Sequence, residues 1–264
     1  MPLADRFDGL LIDLDGVVWI GREPVPGSPQ ALRALLEAGK RIVFVTNNPG
    51  RLPQAYAERL RDLGVEVGAE QIVTAGMVVA RLAGEAAAAA AADGGTAFVI
   101  GAGPLKEMVA ATGARLLEGD EGEGADVVVV SGHKGFDYGE LKAAKFALDR
   151  GARLFATSHD PTMPYPGGEL PGTGAVLAAI EVASGKQATI AGKPERHLFE
   201  MAKQAAGAGR LAMVGDRISS DIDGGRAAGL ETVLVLSGTT TREQAEAANP
   251  GPDHVLDDLA ALLK

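Results

Sequence analysis

The sequence predicts an α/β fold with two domains, one of which is inserted into the other. Short apolar runs alternate with segments of helical periodicity, and this order indicates βαβ units with a parallel sheet and right-handed crossovers. An alanine run over residues 86–92 interrupts the series, and a second α/β series follows it. From Ala188 the chain returns to the earlier kind of element. We therefore assign residues 1–86 and 187–264 to one domain and residues 87–186 to the inserted domain.

The elements of the first domain follow from hydrophobic spacing and from the residues that begin or end them. Residues 9–13 form an apolar run that is too short for a helix and therefore predict a buried strand. Ser28 suits the N-cap of a helix because a proline, favoured in the first helical turn, follows it. Residues 41–45 and 71–74 are further strands, and residues 53–63 have the apolar spacing of a helix between them.

The inserted domain and the remainder of the first domain show the same alternation. The alanine run predicts an exposed connecting helix, because alanine favours helix but offers little to pack; a low-complexity linker is the alternative. The strands predicted after it are 96–100, 126–131, 153–157, 188–191, 210–214 and 232–236. The helices predicted between them are 105–111, 138–149, 195–206 and 219–228.

Composition limits the classes of function. The chain has 264 residues, a net charge of −10 and no cysteine, which excludes a thiolate metal site, a cysteine nucleophile and a disulfide framework. The negative charge argues against nucleic acid and against an anionic membrane surface as partners. No apolar run approaches the roughly 20 residues that span a bilayer, and the first residues lack the pattern of a signal peptide. We therefore expect a cytoplasmic protein that acts on a small molecule.

The first strand ends in two carboxylates, Asp13 and Asp15, and a glycine follows at once. Alternate side chains of a strand share a face, so both carboxylates would project the same way from its carboxyl end. Two carboxylates this close repel each other unless a cation or a shared proton lies between them. The pair therefore indicates a magnesium site or an acid/base pair, with an Asx-rich turn as the structural alternative.

Three further polar clusters follow predicted strands of the first domain. They are Thr46-Asn47-Asn48, Gly192-Lys193-Pro194, and Gly215-Asp216-Arg217 with Asp221. In an open parallel sheet, ligands bind at the carboxyl ends of the strands, near the point where the strand order reverses. The four strand ends therefore predict one shared site. Taken singly, a lysine such as Lys193 is more often a surface residue, and Asp216 and Asp221 could be the N-cap and first-turn acids of a helix. The position of Lys193 after a strand and before a proline reverses the first of these interpretations.

In order along the chain, these segments resemble the four motifs of the haloacid dehalogenase superfamily. They are Asp13-Leu14-Asp15-Gly16-Val17, Thr46-Asn47-Asn48, Gly192-Lys193-Pro194 and Gly215-Asp216-Arg217 with Asp221-Ile222. The inserted domain is similar to the α/β cap of the NagD-like, p-nitrophenyl-phosphatase branch. The similarity covers essentially the whole chain, with no departure at the catalytic positions. It implies a Rossmann-like parallel-sheet core with an inserted α/β cap.

The resemblance also implies the chemistry, that of a Mg²⁺-dependent phosphatase acting on a small phosphomonoester. Asp13 would be the nucleophile that forms an aspartyl-phosphate. Asp15 would protonate the leaving oxygen and then take a proton from the hydrolytic water. An aspartate at this position distinguishes the chain from the dehalogenases, which lack it, and from the ion-pumping ATPases, which have a threonine. A phosphomutase would need a different, helical type of cap.

The remaining motif residues would bind the metal and the phosphate. Magnesium would be held by the Asp13 carboxylate, the Asp15 backbone carbonyl and Asp216. Asp221 would orient either the metal's waters or Lys193. The side chains that the resemblance places on the phosphate are Thr46, Asn47, Asn48 and Lys193.

One stretch of the cap is a candidate for substrate contact. Residues 158–168 follow a strand and contain too many prolines for a regular element. In the similar family this region of the cap faces the core site and sets substrate choice, which makes His159, Asp160 and Tyr165 candidate specificity residues. A purely structural loop is the alternative.

Other functions compete with the phosphatase. A non-catalytic module could bind a phosphorylated small molecule between two lobes, but it would not need Asp15, Lys193 and Asp216 together. A phosphorylatable receiver domain also uses strand-end aspartates, but it would not carry so large a cap. The sequence Gly101-Ala102-Gly103 suits a dinucleotide loop, except that Lys106 stands where the third glycine should be.

The resemblance leaves the substrate open. Relatives with this cap act on glycerol phosphate, phosphoglycolate, nucleoside monophosphates, pyridoxal phosphate or the artificial p-nitrophenyl phosphate. We favour a small polyol or acid phosphate, because the cap has few aromatic side chains on which a base could stack. Similar proteins often pair through their caps, so the resemblance also implies a homodimer.

Overall fold

The computed structural model describes residues 1–91, 94–165 and 168–264. Across these residues the strands are β1 (Gly9–Asp13), β2 (Trp19–Ile20), β3 (Glu23–Pro24), β4 (Arg41–Thr46), β5 (Ile72–Thr74), β6 (Thr96–Ile100), β7 (Arg115–Leu117), β8 (Val127–Val130), β9 (Arg153–Ala156), β10 (Thr162–Tyr165), β11 (Gly168–Pro171), β12 (Thr189–Ile190), β13 (Leu211–Gly215), β14 (Glu231–Val235) and β15 (His254–Leu256). The helices are α1 (Ser28–Glu37), α2 (Pro53–Asp62), α3 (Ala75–Ala90), α4 (Gly103–Ala110), α5 (Tyr138–Asp149), α6 (Thr173–Ser184), α7 (Arg196–Ala206), α8 (Asp223–Ala227) and α9 (Arg242–Ala247). None of these helices is both long enough and apolar enough to span a lipid bilayer.

Internal contacts divide the chain into two units. The core unit comprises Met1–Thr46, Pro53–Val73 and Lys193–Lys264. The cap unit comprises Asn47–Leu52 and Thr74–Gly192. Each unit has its own sheet and its own apolar core, as expected for separate domains.

The core unit is built on a six-stranded sheet in the order β15-β14-β13-β1-β4-β5. Strand β1 pairs in parallel with β13 on one side and with β4 on the other, and β14 pairs in parallel with β13 and β15. The chain lays down β1, β4 and β5 in one direction and later returns with β13 to the other side of β1. The strand order therefore reverses between β1 and β13, where open α/β sheets bind their ligands.

Burial of both faces explains why β1 is apolar up to its last residue. All five residues of β1 are buried, and the same holds for β13. Strands that are covered on both faces show continuous apolar runs rather than alternation, which is the pattern that predicted them. The side chains packed around β1 include Phe44, Val214, Leu32, Leu35, Tyr56 and Leu60. Full burial of one such side chain contributes about 1.5–3 kcal/mol, so this packing fixes the end of β1 in place.

The cap unit has a five-stranded sheet in the order β12-β9-β8-β6-β7, and each pair of neighbouring strands in it is parallel. Its apolar core includes Phe98, Val128, Val130, Leu148, Leu177 and Ile180. The predicted α/β fold class with parallel sheets is therefore confirmed.

The boundaries of the cap unit differ from those predicted. The inserted domain was predicted to span residues 87–186, whereas the main segment of the cap unit spans Thr74–Gly192. The reason is α3, which is one continuous helix that packs on β8, β9 and α4. Ala83, Ala86 and Ala87 are buried in this packing. The prediction of an exposed connecting helix was wrong for this part of the alanine run, because small side chains let a helix approach a sheet closely.

The prediction that residues 158–168 contain no regular element was also wrong. Strands β10 and β11 form an antiparallel hairpin. A two-stranded hairpin consists only of edge strands, where proline is tolerated because its missing N–H need not break a ladder. The sequence analysis also missed the shorter elements β2, β3, β7, β15 and α9.

The same side-chain clamp joins neighbouring strands in both sheets. In the cap unit, Asp126 Oδ2 accepts hydrogen bonds from the backbone N–H (2.8 Å) and the hydroxyl (2.7 Å) of Thr96, and Asp126 N donates to that hydroxyl at 3.0 Å. In the core unit, Asp253 Oδ2 likewise accepts hydrogen bonds from the backbone N–H (2.8 Å) and the hydroxyl (2.7 Å) of Thr232, and Asp253 N donates to that hydroxyl at 3.1 Å. Each clamp fixes the register at the start of two parallel strands.

We expect Asp126→Ala to lower the free energy of unfolding by about 1–3 kcal/mol, because the Thr96 N–H and hydroxyl lose their acceptor. Asp126→Asn should cost less, since its amide oxygen can still accept. Urea unfolding followed by circular dichroism measures both changes. Glu107→Ala on the exposed face of α4 is the control, and a loss no larger than that of the control would contradict the clamp.

Candidate active site

A buried ammonium group between two carboxylates forms the centre of the site. Lys193 Nζ lies 2.7 Å from Asp13 Oδ1 and 2.6 Å from Asp221 Oδ1. All three side chains are almost fully buried. Buried charges are stable only when their remaining polar atoms are also hydrogen bonded. Asp221 meets this condition, because its Oδ2 accepts from the backbone N–H groups of Asp216 (3.2 Å) and Arg217 (3.0 Å).

The sheet topology brings these side chains together. Asp13 is the last residue of β1, and Asp216 follows the last residue of β13, so both lie at the strand-order reversal. Asp221 lies in a π-helical turn, Ile218–Ile222, whose wide spacing lets the Asp221 carboxylate reach back to the end of β13. The helix predicted over 219–228 is therefore this turn followed by the short helix α8.

Asp216 offers an oxygen for a cation. Its Oδ2 accepts a hydrogen bond from the backbone N–H of Thr239 at 2.6 Å, whereas its buried Oδ1 has no hydrogen-bond partner among the described residues. Asp13, Asp216 and Asp221 each present one carboxylate oxygen within 4.8 Å of the others. Since both oxygens of Asp221 are already engaged, Asp13 and Asp216 remain as the candidate ligands. An all-oxygen donor set fits a hard divalent cation such as Mg²⁺.

Two glycines make room for the Asp216 carboxylate. Gly16 has φ +90°, a conformation that favours glycine, and a Cβ there would overlap the carboxylate of Asp216. A Cβ at Gly238 would overlap the same group. The loops after β1 and β14 therefore both approach Asp216 as closely as the backbone allows.

Electrostatics set the protonation of the central cluster. Burial raises the pKa of Asp13 well above its usual range; the Lys193 charge opposes this shift, and the charges of Asp221 and Asp216 add to it. Burial also raises the pKa of Asp216, with a further contribution from Asp221 and opposition from the Thr239 hydrogen bonds. Burial alone would lower the pKa of Lys193, but Asp13 and Asp221 outweigh it and raise that pKa. Three carboxylates thus share one ammonium group, and the excess negative charge favours a bound cation.

Asp15 lies in a different environment. Its carboxylate is accessible to solvent, and its Oδ1 accepts a hydrogen bond from Trp19 Nε1 at 3.0 Å. The surrounding protein still desolvates the group and raises its pKa, which the Trp19 hydrogen bond and the Arg59 charge partly oppose. A raised pKa suits a carboxyl group that must carry a proton at the start of a reaction.

The motif Thr46-Asn47-Asn48 is divided between the two units. Thr46 is the buried last residue of β4 in the core unit, whereas Asn47 and Asn48 belong to the cap unit. Asn47 Nδ2 donates to Asp160 Oδ2 at 3.3 Å. Asn48 Oδ1 accepts from the backbone N–H of Gly50 at 2.9 Å, which gives this oxygen a role in the local turn.

Two of the candidate specificity residues, His159 and Asp160, precede β10, and the third, Tyr165, is its last residue. His159 is exposed and Asp160 is half-buried against Asn47. The backbone of Tyr165 lies in β10, and its side chain is outside the part of the chain that the structure describes.

Two residues that contact the site, Thr239 and Trp19, were not predicted from the sequence. Thr239 follows β14 and bonds Asp216; no local pattern marks it, because its role depends on the neighbouring strand. Trp19 bonds Asp15 and is the single tryptophan of the chain, which is a signal that could have drawn attention to it.

Comparison with known proteins agrees with the fold and shows the family of the chain. Residues 10–115 match a family model described as haloacid dehalogenase-like hydrolase, and residues 190–262 match a HAD-hydrolase-like model. The chain is similar to human glycerol-3-phosphate phosphatase, with 37% identity over 300 residues that cover 99% of this chain and 91% of that protein. The chain therefore belongs to the haloacid dehalogenase-like hydrolase family.

Solved structures narrow the comparison to one branch. The glycerol phosphate phosphatase of Mycobacterium tuberculosis in complex with magnesium superposes with a TM-score of 0.89 at 36% identity, covering 100% of this chain and 78% of that one. The p-nitrophenyl phosphatase of Archaeoglobus fulgidus superposes with a TM-score of 0.87 at 32% identity, covering 97% and 98%. The predicted NagD-like, p-nitrophenyl-phosphatase branch and the predicted enzyme class, a phosphatase, are confirmed.

We expect Lys193→Met to destabilise the protein by about 3–5 kcal/mol at neutral pH, because Asp13 and Asp221 lose their buried counter-charge. Burial already raises the pKa of Asp13 and Lys193 opposes this shift, so removal of the ammonium group should raise that pKa further. A group with a raised pKa in the folded state stabilises less as the pH rises, so the variant should lose more stability than the wild type between pH 5 and pH 8. The deficit should therefore shrink from pH 8 to pH 5, as measured by urea unfolding at both values. Lys203→Met on the exposed side of α7 is the control, and a deficit independent of pH would contradict this account.

Proposed function

We propose that the chain is a Mg²⁺-dependent phosphatase that hydrolyses a small phosphomonoester through an aspartyl-phosphate on Asp13. One observation carries the proposal: the Lys193 ammonium lies between Asp13 and Asp221, and Asp216 presents a carboxylate oxygen within 4.8 Å of an oxygen of each of these two aspartates. This arrangement combines a fixed nucleophile, a positive group for the phosphate and oxygen ligands for a cation.

Asp13 is the nucleophile of the proposed reaction. The Lys193 contact holds its Oδ1 at 2.7 Å, which leaves the other oxygen to attack phosphorus. As the new O–P bond forms, the bond from phosphorus to the leaving oxygen breaks, and Asp15 gives its proton to that oxygen. Water then attacks the phosphorus of the aspartyl-phosphate while Asp15 takes a proton from this water. The bond between phosphorus and the Asp13 oxygen breaks, which releases inorganic phosphate and restores the Asp13 carboxylate.

Hydrogen-bond donors stabilise the charge that develops on the transferring phosphoryl group. Lys193 supplies a buried ammonium group, whose raised pKa keeps it charged. The Thr46 hydroxyl lies at the carboxyl end of the strand next to β1 and supplies a second donor. Donors fixed in a water-poor site stabilise such charge more strongly than water does. Asn47 and Asn48 remain predicted phosphate ligands.

Asp13 and Asp216 would hold Mg²⁺, together with the backbone carbonyl of Asp15. When bound, the ion offsets the repulsion between the Asp13 carboxylate and an anionic phosphate. Of the two roles predicted for Asp221, orienting the metal's waters or orienting Lys193, we favour the second. Its Oδ1 accepts a hydrogen bond from Lys193, and its Oδ2 accepts from the backbone before the π-helical turn. It therefore orients Lys193.

Glycerol phosphate is the substrate that the comparisons favour, since two of the relatives named above are glycerol phosphate phosphatases. Phosphoglycolate and a nucleoside monophosphate are the alternatives. His159, Asp160 and Tyr165 remain the candidate specificity residues, and a half-buried carboxylate such as Asp160 suits the hydroxyl groups of a polyol. A homodimer through the caps, a cytoplasmic location and the absence of nucleic-acid or membrane partners remain predictions from the sequence.

Asp13→Asn should lower Mg²⁺-dependent phosphate release by more than about 10³-fold, because the amide cannot form the aspartyl-phosphate. Phosphate release from glycerol phosphate, phosphoglycolate and a nucleoside monophosphate measures the effect, and the kcat/KM values rank the substrates. Asp62→Asn on the exposed side of α2 is the control. Substantial release by Asp13→Asn, or none by the wild type with Mg²⁺, would refute the mechanism.

Mg²⁺ should stabilise the wild-type fold, because a ligand that binds only the folded state adds about 2.7 kcal/mol at 100 times its Kd. Asp216→Asn should largely lose this increase, since one cation ligand becomes neutral while the amide oxygen can still accept from Thr239 N. Thermal unfolding with Mg²⁺ and with chelator measures it without substrate. Asp223→Asn in α8 is the exposed control, and equal stabilisation of both variants would exclude Asp216 as a ligand.

A further inference from the structure

The indole ring of Trp19 contacts the proposed general acid directly. Trp19 is fully buried, and its Nε1 donates to Asp15 Oδ1 at 3.0 Å. An indole N–H can only donate a hydrogen bond, so it pairs with an oxygen that has a lone pair and carries no proton toward it. The two oxygens of Asp15 therefore differ, because Oδ1 accepts the hydrogen bond from the indole and Oδ2 does not.

The backbone holds Trp19 and Asp15 in one tight loop. The carbonyl of Leu14 accepts from the N–H groups of Val18 (2.9 Å) and Trp19 (3.2 Å), and Gly16 N donates to the carbonyl of Trp19 at 2.7 Å. The loop is also tied to other parts of the core unit. Ser28 Oγ donates to the carbonyl of Val17 at 2.8 Å, and Ser237 Oγ donates to that of Gly16 at 2.7 Å. The positions of both side chains are thus set by many hydrogen bonds.

Helix α2 fixes the ring of Trp19. The ring of Tyr56 stacks on it with centroids 6.4 Å apart and planes 4° apart. The guanidinium carbon of Arg59 lies 3.8 Å from the centroid of a Trp19 ring, and an Arg59 nitrogen donates to the carbonyl of Gly21 at 2.7 Å. A cation over the ring withdraws electron density from it, which makes the indole N–H a stronger donor.

We propose that Trp19 is the positioning residue for the general acid: it binds Asp15 Oδ1 and thereby directs the proton to Oδ2. This inference rests on the proposed phosphatase mechanism. During formation of the aspartyl-phosphate, Asp13 bonds to phosphorus and the bond between phosphorus and the leaving oxygen breaks. The proton on Asp15 Oδ2 moves to that leaving oxygen in the same step. The negative charge left on Asp15 is stabilised by the Trp19 N–H. In the second step Oδ2 takes a proton from water, and the carboxyl group is restored.

If Trp19 positions the general acid, the effect of losing its N–H on the rate of phosphoryl transfer should depend on the leaving group. A glycerol alkoxide is strongly basic and needs a proton as it departs, whereas p-nitrophenolate is a stable anion that needs none. Loss of the Trp19 N–H should therefore slow phosphoryl transfer from glycerol phosphate far more than transfer from p-nitrophenyl phosphate. A loss of packing alone would slow both substrates by the same factor.

The test compares kcat/KM of the Mg²⁺-loaded wild type and Trp19→Phe on both substrates, because kcat/KM reports the steps up to formation of the phosphoenzyme. Phenylalanine keeps an aromatic ring and removes the N–H. We expect a fall of about 10-fold or more for glycerol phosphate and of less than about 3-fold for p-nitrophenyl phosphate. Phe44→Leu, a buried core change in β4, controls for loss of packing and should affect both substrates equally.

A double variant tests whether Trp19 acts through Asp15. In an Asp15→Asn background, Trp19→Phe should have little further effect on glycerol phosphate, because the group that it positions no longer transfers a proton. Equal falls on both substrates, or effects that simply multiply in the double variant, would overturn the inference. If the wild type released no phosphate from either ester, the proposed function itself would fail instead.

A spectroscopic measurement tests the contact without changing position 19. The chain has one tryptophan, so ¹⁵N-labelled protein gives one indole N–H resonance. Asp15→Ala should move this resonance and speed its exchange with solvent, whereas Asp62→Ala should leave it unchanged. An indole resonance that is insensitive to Asp15→Ala would overturn the inference even if Trp19→Phe did not fold.

Discussion

The rest of the site depends on one interaction, the ion pairing of the buried Lys193 ammonium group with Asp13 and Asp221. The ammonium group lies between the buried carboxylates of these two aspartates, and Asp216 brings a third carboxylate within 4.8 Å of both. Without the ammonium charge, the repulsion between these carboxylates would disfavour the folded arrangement. Asp221 is fully used in holding this ammonium and the backbone after β13. Asp13 and Asp216 therefore remain available for the proposed nucleophilic attack and for the proposed cation.

The parallel sheet supplies the precision that such a cluster needs. β1 and β13 are neighbours, so the residues that follow them emerge side by side at the point where the strand order reverses. Glycines at positions 16 and 238 then let two loops close around Asp216. The cap unit has its own sheet, core and aspartate–threonine clamp, so each unit fixes its strands with its own contacts.

Much of this could be predicted because it depends on local signals. The apolar runs predicted the strands that lead to Asp13 and Asp216, and helix α5 has the predicted bounds, Tyr138–Asp149. The failures arose where packing overrides composition. Proline content argued against strands in the β10–β11 hairpin, although edge strands tolerate it. Alanine content argued for exposure in α3, although the start of the alanine run is buried against the cap sheet.

The sequence by itself determined the α/β class, the family and the strand-end residues Asp13, Asp15, Lys193 and Asp216, because periodicity and short motifs are encoded within a few residues. Only the tertiary structure decided which groups contact one another. Asp13 and Lys193 are 180 positions apart, and Asp221 could have served either the metal's waters or the lysine. The choice of lysine, and the hydrogen bond from Trp19 to Asp15, depend on strand order and loop closure. Those follow from packing the whole chain, which no local pattern specifies.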